Sequence, residues 1–76
     1  MQVRVKLMAA LRNKLPGGST ALELGPGATI AAALDQLGLA AGAVHLVMVN
    51  GAMETDRSRA LVEGDELVIF PPVAGG

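Results

Sequence analysis

The stretch VEGDELVIFPP, residues 62–72, decides how this chain is expected to fold. A turn at Glu63-Gly64-Asp65 leads into a strand at 66–70, in which residues 67–70 are all apolar. A strand that is apolar on both faces is typical of the interior of a sheet. Two prolines follow, and because proline has no N–H group, strand pairing must stop at Phe70. The sequence therefore predicts an interior strand that ends at residue 70.

Other strands are predicted from alternating patterns upstream. VRVKLM (3–8) alternates apolar and basic residues with a period of two, and TALEL (20–24) alternates in the same way. HLVMVNG (45–51) ends in Asn50-Gly51, a dipeptide that strongly favours a two-residue hairpin turn. We therefore expect two hairpins, the second with a short return strand through Met53.

A helix is predicted between the two hairpins. Thr29 is a good N-cap residue, and Gly38 is suited to end the helix in the left-handed conformation. Apolar residues between them recur at helical spacing and form one stripe. The stripe consists of Ile30, Ala33, Leu34 and Leu37.

The element order β-β-α-β-(β)-β predicts an α+β domain over residues 1–70, with a small mixed sheet and one main helix packed on one face. This order favours a β-grasp arrangement, although the spacing also fits a ferredoxin-like fragment or a small barrel. Residues 71–76 are predicted to form an extended C-terminal tail.

Composition limits the possible functions. A chain of 76 residues forms one domain, and its net charge of −1 without a basic cluster argues against a nucleic-acid partner. Its apolar stretches are too short to span a bilayer, and basic residues interrupt the N-terminal one too early for a signal peptide, so we expect no membrane association and a cytoplasmic location. Cysteine is absent, which excludes disulfides, thiolate metal sites and a thiol nucleophile.

Side chains suited to catalysis are sparse. His45 is the single histidine, and its place at the start of a strand favours a surface role. The acidic residues at 63, 65 and 66 are interpreted as an exposed turn, because an all-oxygen metal site usually needs more ligands. The methionines at 8, 48 and 53 are predicted to fill the core. We predict no metal, no cofactor and no catalytic activity of the chain by itself.

The tail has features that a fraying end would not need. Pro71 and Pro72 favour an extended chain rising about 3.1 Å per residue, so six residues would carry the terminal carboxylate roughly 20 Å from the sheet. Gly75 and Gly76 have no Cβ, so another protein's narrow channel can close around their backbone. The alternative is that the prolines merely end the strand and the glycines fray.

The end of the chain also carries a resemblance. EGDELVIFPPVAGG (63–76) resembles the C-terminal signature of the small subunit of molybdopterin synthase, a ubiquitin-like sulfur carrier. VKLMAALR (5–12), ATIAAAL (28–34) and VNG (49–51) resemble the first strand, helix start and hairpin of that family. The chain departs from the family pattern in its missing aromatic residues and its Ala-rich helix.

This resemblance implies a role for the tail. An ATP-dependent activating enzyme would adenylate the Gly76 carboxylate, and a persulfide sulfur donor would convert it to a thiocarboxylate. The tail would then enter the active site of the synthase large subunit and give sulfur to the pterin precursor in molybdenum cofactor biosynthesis. Phe70 would be a hot spot for partner docking, or alternatively a core residue. The residues held in the partner's channel would be Pro71, Pro72, Val73, Ala74 and Gly75.

Three other functions fit the same residues. The protein could carry sulfur for another product, such as thiazole, a thiolated tRNA base or cysteine. It could be a protein modifier, in which Gly76 forms an isopeptide bond with a lysine. It could also be a β-grasp interaction module whose tail has no chemistry.

Overall fold

The computed structural model describes residues 1–72. Within this range five strands form one mixed sheet, and one α-helix packs on one face of it. The strands are β1 (Gln2–Leu7), β2 (Ser19–Glu23), β3 (Leu46–Val49), β4 (Ala52–Glu54) and β5 (Glu66–Phe70). The helix is α1 (Ile30–Gln36), and short 3-10 segments span Ala9–Lys14, Pro16–Gly18 and Ala41–Ala43.

Strand β5 lies at the centre of the sheet, whose order is β2-β1-β5-β3-β4. It pairs in parallel with β1, where Lys6 is opposite Val68, and antiparallel with β3, where Leu46 is opposite Phe70. This confirms the predicted interior strand and the mixed sheet. An open sheet with a central parallel pair and one helix is the β-grasp arrangement, and it differs from both a closed barrel and a ferredoxin-like fragment.

Helix α1 begins and ends where its sequence predicted. The Thr29 hydroxyl oxygen accepts a hydrogen bond from the backbone N–H of Ala32 at 3.2 Å, which caps the first turn. Gly38 has a φ of 76°, the left-handed conformation that ends a helix. Ile30 and Ala33 are fully buried, Leu34 is 5% exposed and Leu37 is partly buried against the same core. The predicted stripe is thus the face that packs on the sheet.

The core is aliphatic, as a chain with one aromatic residue requires. Alternate residues of β1, β3 and β5 point toward α1 and contribute every second side chain to one buried cluster, to which β2 adds one residue. The strand residues of this cluster are Val3, Val5, Leu7, Leu22, Val47, Val49, Leu67 and Ile69.

One part of the acidic turn differs from the prediction. Glu63 and Glu66 are exposed, but Asp65 is only 5% exposed. Its carboxylate accepts hydrogen bonds from the backbone N–H of Val62 at 2.9 Å and from Asn50 Nδ2 at 2.8 Å. Because these donors replace water, the carboxylate can be buried without being left unsatisfied. The prediction of an exposed turn was therefore wrong for Asp65.

The burial of the methionines also differs from the prediction that they fill the core. Met53 is 66% exposed, while Met8 and Met48 are half-buried. Met48 lies between the buried Val47 and Val49, so alternation turns it to the opposite face of the sheet. Met53 is paired directly opposite Met48 and therefore shares that face.

The helix position leads to a stability prediction. Leu34→Ala should lower the free energy of unfolding by about 2–5 kcal/mol, because it leaves a cavity in the buried cluster. Ala31→Ser, on the exposed side of α1, should cost well under about 1 kcal/mol. Urea unfolding followed by circular dichroism measures both. Equal losses for the two variants would contradict the orientation of α1.

Candidate functional site

The sheet face opposite α1 carries a continuous apolar patch across three strands. Register places Val68 directly beside Met48, and Met48 directly beside Met53. Leu46 and Phe70 form the neighbouring pair on the same face. Directly opposed side chains lie close enough to touch, so these residues form one surface, which we call the open-face patch. Its residues are Leu46, Met48, Met53, Val68 and Phe70.

Positive charge borders the open-face patch on its β1 side. Arg4 and Lys6 are exposed on β1, and Lys6 is paired opposite Val68. The basic residues at 4, 6, 12 and 14 precede the first acidic residue, Glu23, so the small net charge hides an uneven distribution. The patch therefore has an apolar centre and a charged edge, where Lys6 lies beside Val68 and Arg4 lies beside the acidic Glu66.

The root of the tail is held by the last hydrogen bonds of the sheet. The backbone N–H of His45 donates to the Phe70 carbonyl at 2.8 Å, and that of Met8 donates to the Ile69 carbonyl at 2.9 Å. Strand β5 ends at Phe70, and Pro71 and Pro72 follow outside it, as the sequence predicted. The chain thus leaves the sheet from its central strand.

A depression of about 480 Å³ lies at this root. It is lined by Ala9, Ala10, His45, Leu46, Phe70, Pro71 and Pro72. Ala9 has a φ of 52°, a left-handed conformation that is uncommon outside glycine, and it lies where β1 gives way to the first 3-10 segment. This sharp turn puts two small residues on the wall of the depression.

Phe70 lies on the open face. It is half-buried, and alternation along β5 puts its side chain opposite to those of the buried Leu67 and Ile69. It is not a member of the buried cluster and instead lines the depression at the root of the tail. The sequence allowed Phe70 to lie either on a docking surface or in the core, and in the structure its side chain lies at the surface.

The remaining predicted site residues are Val73, Ala74, Gly75 and Gly76, which lie outside the described residues. The reactive carboxylate, the channel-bound tail and the division into a domain and a tail at residue 70 therefore stay predictions. Sequence analysis missed the other walls of the depression, Ala9, Ala10 and Leu46. The local signal for Ala9 and Ala10 was a pair of small residues shortly after β1, separated from it by Met8.

The polar and titratable groups of residues 1–72 do not form a second site of clear chemistry. His45 is exposed just before β3, as expected for a surface residue. Within residues 1–72, no three His, Cys, Asp or Glu side chains are grouped closely enough to bind a metal ion. The pKa of Asp56, in the loop after β4, is lowered because Ser58 donates hydrogen bonds to its carboxylate from both the hydroxyl and the backbone. No helix in the same range has the length and hydrophobicity needed to cross a membrane.

Several solved structures share this fold. SAMP1 from Haloferax volcanii is 27% identical over 100% of both chains, with a TM-score of 0.77. A putative molybdopterin converting factor subunit 1 from Pyrococcus furiosus is 22% identical over 95% of this chain and 98% of that one, also with a TM-score of 0.77. The complex of subunits 1 and 2 of molybdopterin-converting factor from Helicobacter pylori matches at 18% identity over 100% of both chains, with a TM-score of 0.69.

These neighbours confirm a ubiquitin-like β-grasp fold. Among curated proteins, the sequence has no significant match. The model of the ThiS family matches residues 5–76, nearly the whole sequence, and the chain therefore belongs to the ThiS family.

Proposed function

We propose that this protein is a ubiquitin-like sulfur carrier that acts as the small subunit of molybdopterin synthase, with the Gly76 carboxylate as its reactive group. The observation that carries the proposal is the junction at Phe70. There a central strand ends on an open apolar face, two prolines follow, and the sequence continues to Gly75-Gly76. Membership of the ThiS family supports the carrier role, since the match extends through residue 76.

The position of the junction suits delivery of a chain end. Because β5 is paired on both sides, Phe70 is held more firmly than the end of an edge strand would be. Pro71 and Pro72 then restrict the backbone, so fewer tail conformations compete with the extended one. The domain orients the terminal carboxylate and raises its effective concentration in the partner's active site, while the acid–base groups belong to the partner enzymes.

The proposed chemistry takes place at the terminal carboxylate. A carboxylate oxygen attacks the α-phosphorus of ATP in the activating enzyme, and pyrophosphate leaves. A persulfide then attacks the acyl carbon of the adenylate and displaces AMP, and a second thiol cleaves the S–S bond to leave a thiocarboxylate. Because the 76-residue sequence has no cysteine, the terminus is the group in this chain suited to carry transferable sulfur. The sulfur passes to the pterin precursor in molybdenum cofactor biosynthesis.

The open-face patch is the proposed docking surface for the activating enzyme and for the large subunit. An apolar surface with an aromatic anchor and a charged rim has the composition of a protein interface. Phe70 joins this surface to the depression at the root of the tail, so docking and tail insertion would share one residue. The Helicobacter pylori structure supports a large-subunit partner, since its subunit 1 is in complex with subunit 2.

A second candidate function is protein modification. SAMP1, whose full name is small archaeal modifier protein 1, is 26–27% identical to this chain, which favours this alternative. Gly76 would then be activated in the same way but would form an isopeptide bond with a lysine. Carriers for thiazole, thiolated tRNA bases or cysteine also share the activation step. Identifying the molecule that accepts the sulfur or the acyl group from the activated Gly76 would distinguish all of these functions from molybdopterin synthesis.

Sulfur loading tests the proposal directly. Incubation with the cognate activating enzyme, ATP and a persulfide donor should add the mass of one oxygen-for-sulfur exchange, and peptide mass spectrometry should localise it to the C-terminal peptide. Omission of ATP is the control. Sulfur on another residue, or none with an active enzyme, would refute the carrier role, whereas a lysine conjugate would favour the modifier.

Changes at the terminus should separate folding from chemistry. Deleting Gly76 should alter the free energy of unfolding by less than about 0.5 kcal/mol. It shortens the tail by roughly 3.3–3.6 Å, and since even ~1 Å of misplacement can cost about 100-fold in rate, adenylation should become nearly undetectable. Gly75→Val keeps the length but puts a branched side chain in the channel, and should fail as well. Wild-type AMP transfer in either variant would show that the terminus is not the reactive group.

The docking surface leads to a separate prediction. Phe70→Ala should weaken binding to the activating enzyme by more than about 1 kcal/mol, because it removes the aromatic anchor of the open-face patch. Val62→Ala is the matched control, since Val62 is 62% exposed and precedes β5 outside the patch. Isothermal titration calorimetry on folded variants measures both. Equal affinities for the two variants would place docking on another surface.

A further inference from the structure

The side chain of Asn50 closes a contact between the β3–β4 turn and the start of β5. Its Nδ2 donates to Asp65 Oδ1 at 2.8 Å, and its Oδ1 accepts from the backbone N–H of Glu66 at 2.9 Å. The backbone N–H of Asn50 also donates to the Glu66 carbonyl at 2.8 Å. We call these three hydrogen bonds the Asn50 clasp.

The clasp matters because it satisfies a buried charge. Asp65 is 5% exposed, and an ionised carboxylate can only accept hydrogen bonds. Its second oxygen accepts from the backbone N–H of Val62 at 2.9 Å, so the Asn50 amide is the side-chain donor that the carboxylate has in the described structure. Opening the clasp would leave a buried acceptor without one of its partners, which is unfavourable.

The same asparagine is followed by Gly51, and this dipeptide is chemically labile. The backbone nitrogen of Gly51 can attack Cγ of Asn50, because glycine has no Cβ to hinder the approach. A C–N bond forms, the bond to the side-chain nitrogen breaks, and that nitrogen leaves as ammonia. Water then opens the five-membered succinimide at either carbonyl, which yields aspartate or isoaspartate at position 50. These reaction steps require no reactant other than water.

The geometry opposes this reaction while the clasp is closed. Both polar atoms of the Asn50 amide are bonded to the β5 side, and attack requires that the amide turn from there toward the Gly51 nitrogen. The turn itself is specified by the left-handed backbone of both residues, with φ of 52° at Asn50 and 85° at Gly51. Reaction therefore needs a local opening of the clasp first.

We infer that Asn50-Gly51 is a deamidation site that the Asn50 clasp keeps closed in the folded domain, and that the product cannot re-form the hydrogen bond to Asp65. Aspartate at position 50 has no N–H to donate to Asp65, and two carboxylates would face each other at hydrogen-bond distance. Isoaspartate would also lengthen the backbone of the two-residue turn. The modification is irreversible because the ammonia is lost, and the missing hydrogen bond to Asp65 weakens the start of β5. It does not depend on the proposed function.

Deamidation kinetics test the inference on the full-length protein. Folded wild-type protein and the same chain in urea are incubated at mildly alkaline pH, and peptide mass spectrometry measures the exchange of NH2 for OH at residue 50. The folded protein should react more slowly by roughly tenfold or more, since hydrogen bonds to a charged group oppose the opening. Equal rates in the two states would overturn the inference.

Two variants separate the clasp from general stability. Asp65→Asn removes the charged acceptor at unchanged size and should accelerate deamidation of the folded protein by several-fold. Leu34→Ala destabilises the domain away from the clasp, and it should accelerate the reaction much less under conditions where circular dichroism shows both variants folded. Equal acceleration would overturn the protective role of the clasp.

The loss of the contact in the product has its own measurement, which does not require Asp65→Asn to fold. Asn50→Asp reproduces one product of the reaction and should unfold at a lower urea concentration than wild type at neutral pH. Asn50→Ser, which introduces no charge beside Asp65, should lose less stability. An Asn50→Asp variant as stable as wild type would show that the product does re-form the contact.

Discussion

The pairing of β5 on both sides is the constraint on which the rest of the structure depends. Because β1 and β5 run in the same direction, the chain must return from the carboxyl end of β1 to the amino end of β5 through a crossover connection. The crossover contains α1, which supplies the apolar stripe that covers one face. The antiparallel pairing with β3 then adds the second hairpin beside β5. Sheet order, helix position and the exit point of the tail all follow from this one strand.

A single helix covers one face of a five-stranded sheet, and the other face must be met by water or by a partner. In a chain of this size the inward face already takes most of the aliphatic residues. Val68, Phe70 and Met48 are nevertheless apolar and half-buried on the opposite face, where polar residues would serve solubility better. A contiguous apolar surface of this kind is typical of an interaction site. Folding of the domain does not require an apolar open face, whereas the docking role proposed above would account for it.

Features with a local cause were predicted from the sequence, whereas features with a distant cause were not. The cap at Thr29, the end at Gly38 and the Asn50-Gly51 turn follow from the conformational preferences of those residues. The burial of Asp65 depends on a donor 15 residues away, and the exposure of Met53 depends on its register with Met48. The same holds for the candidate site. The prolines and Phe70 are adjacent in sequence, but the depression also needs residues 9, 10 and 46, which only the folded sheet brings there.

The two ends of β5 show how such distant contacts hold this strand in place. At its start, the Asn50 clasp fixes Asp65 and Glu66 against the β3–β4 turn. At its end, the backbone N–H of His45, just before β3, donates to the Phe70 carbonyl, and that of Met8, just after β1, donates to the Ile69 carbonyl. Strand pairing between these points leaves no residue of β5 free to shift in register without moving buried side chains to the open face. The tail proposed above would therefore start from a fixed point at the end of β5.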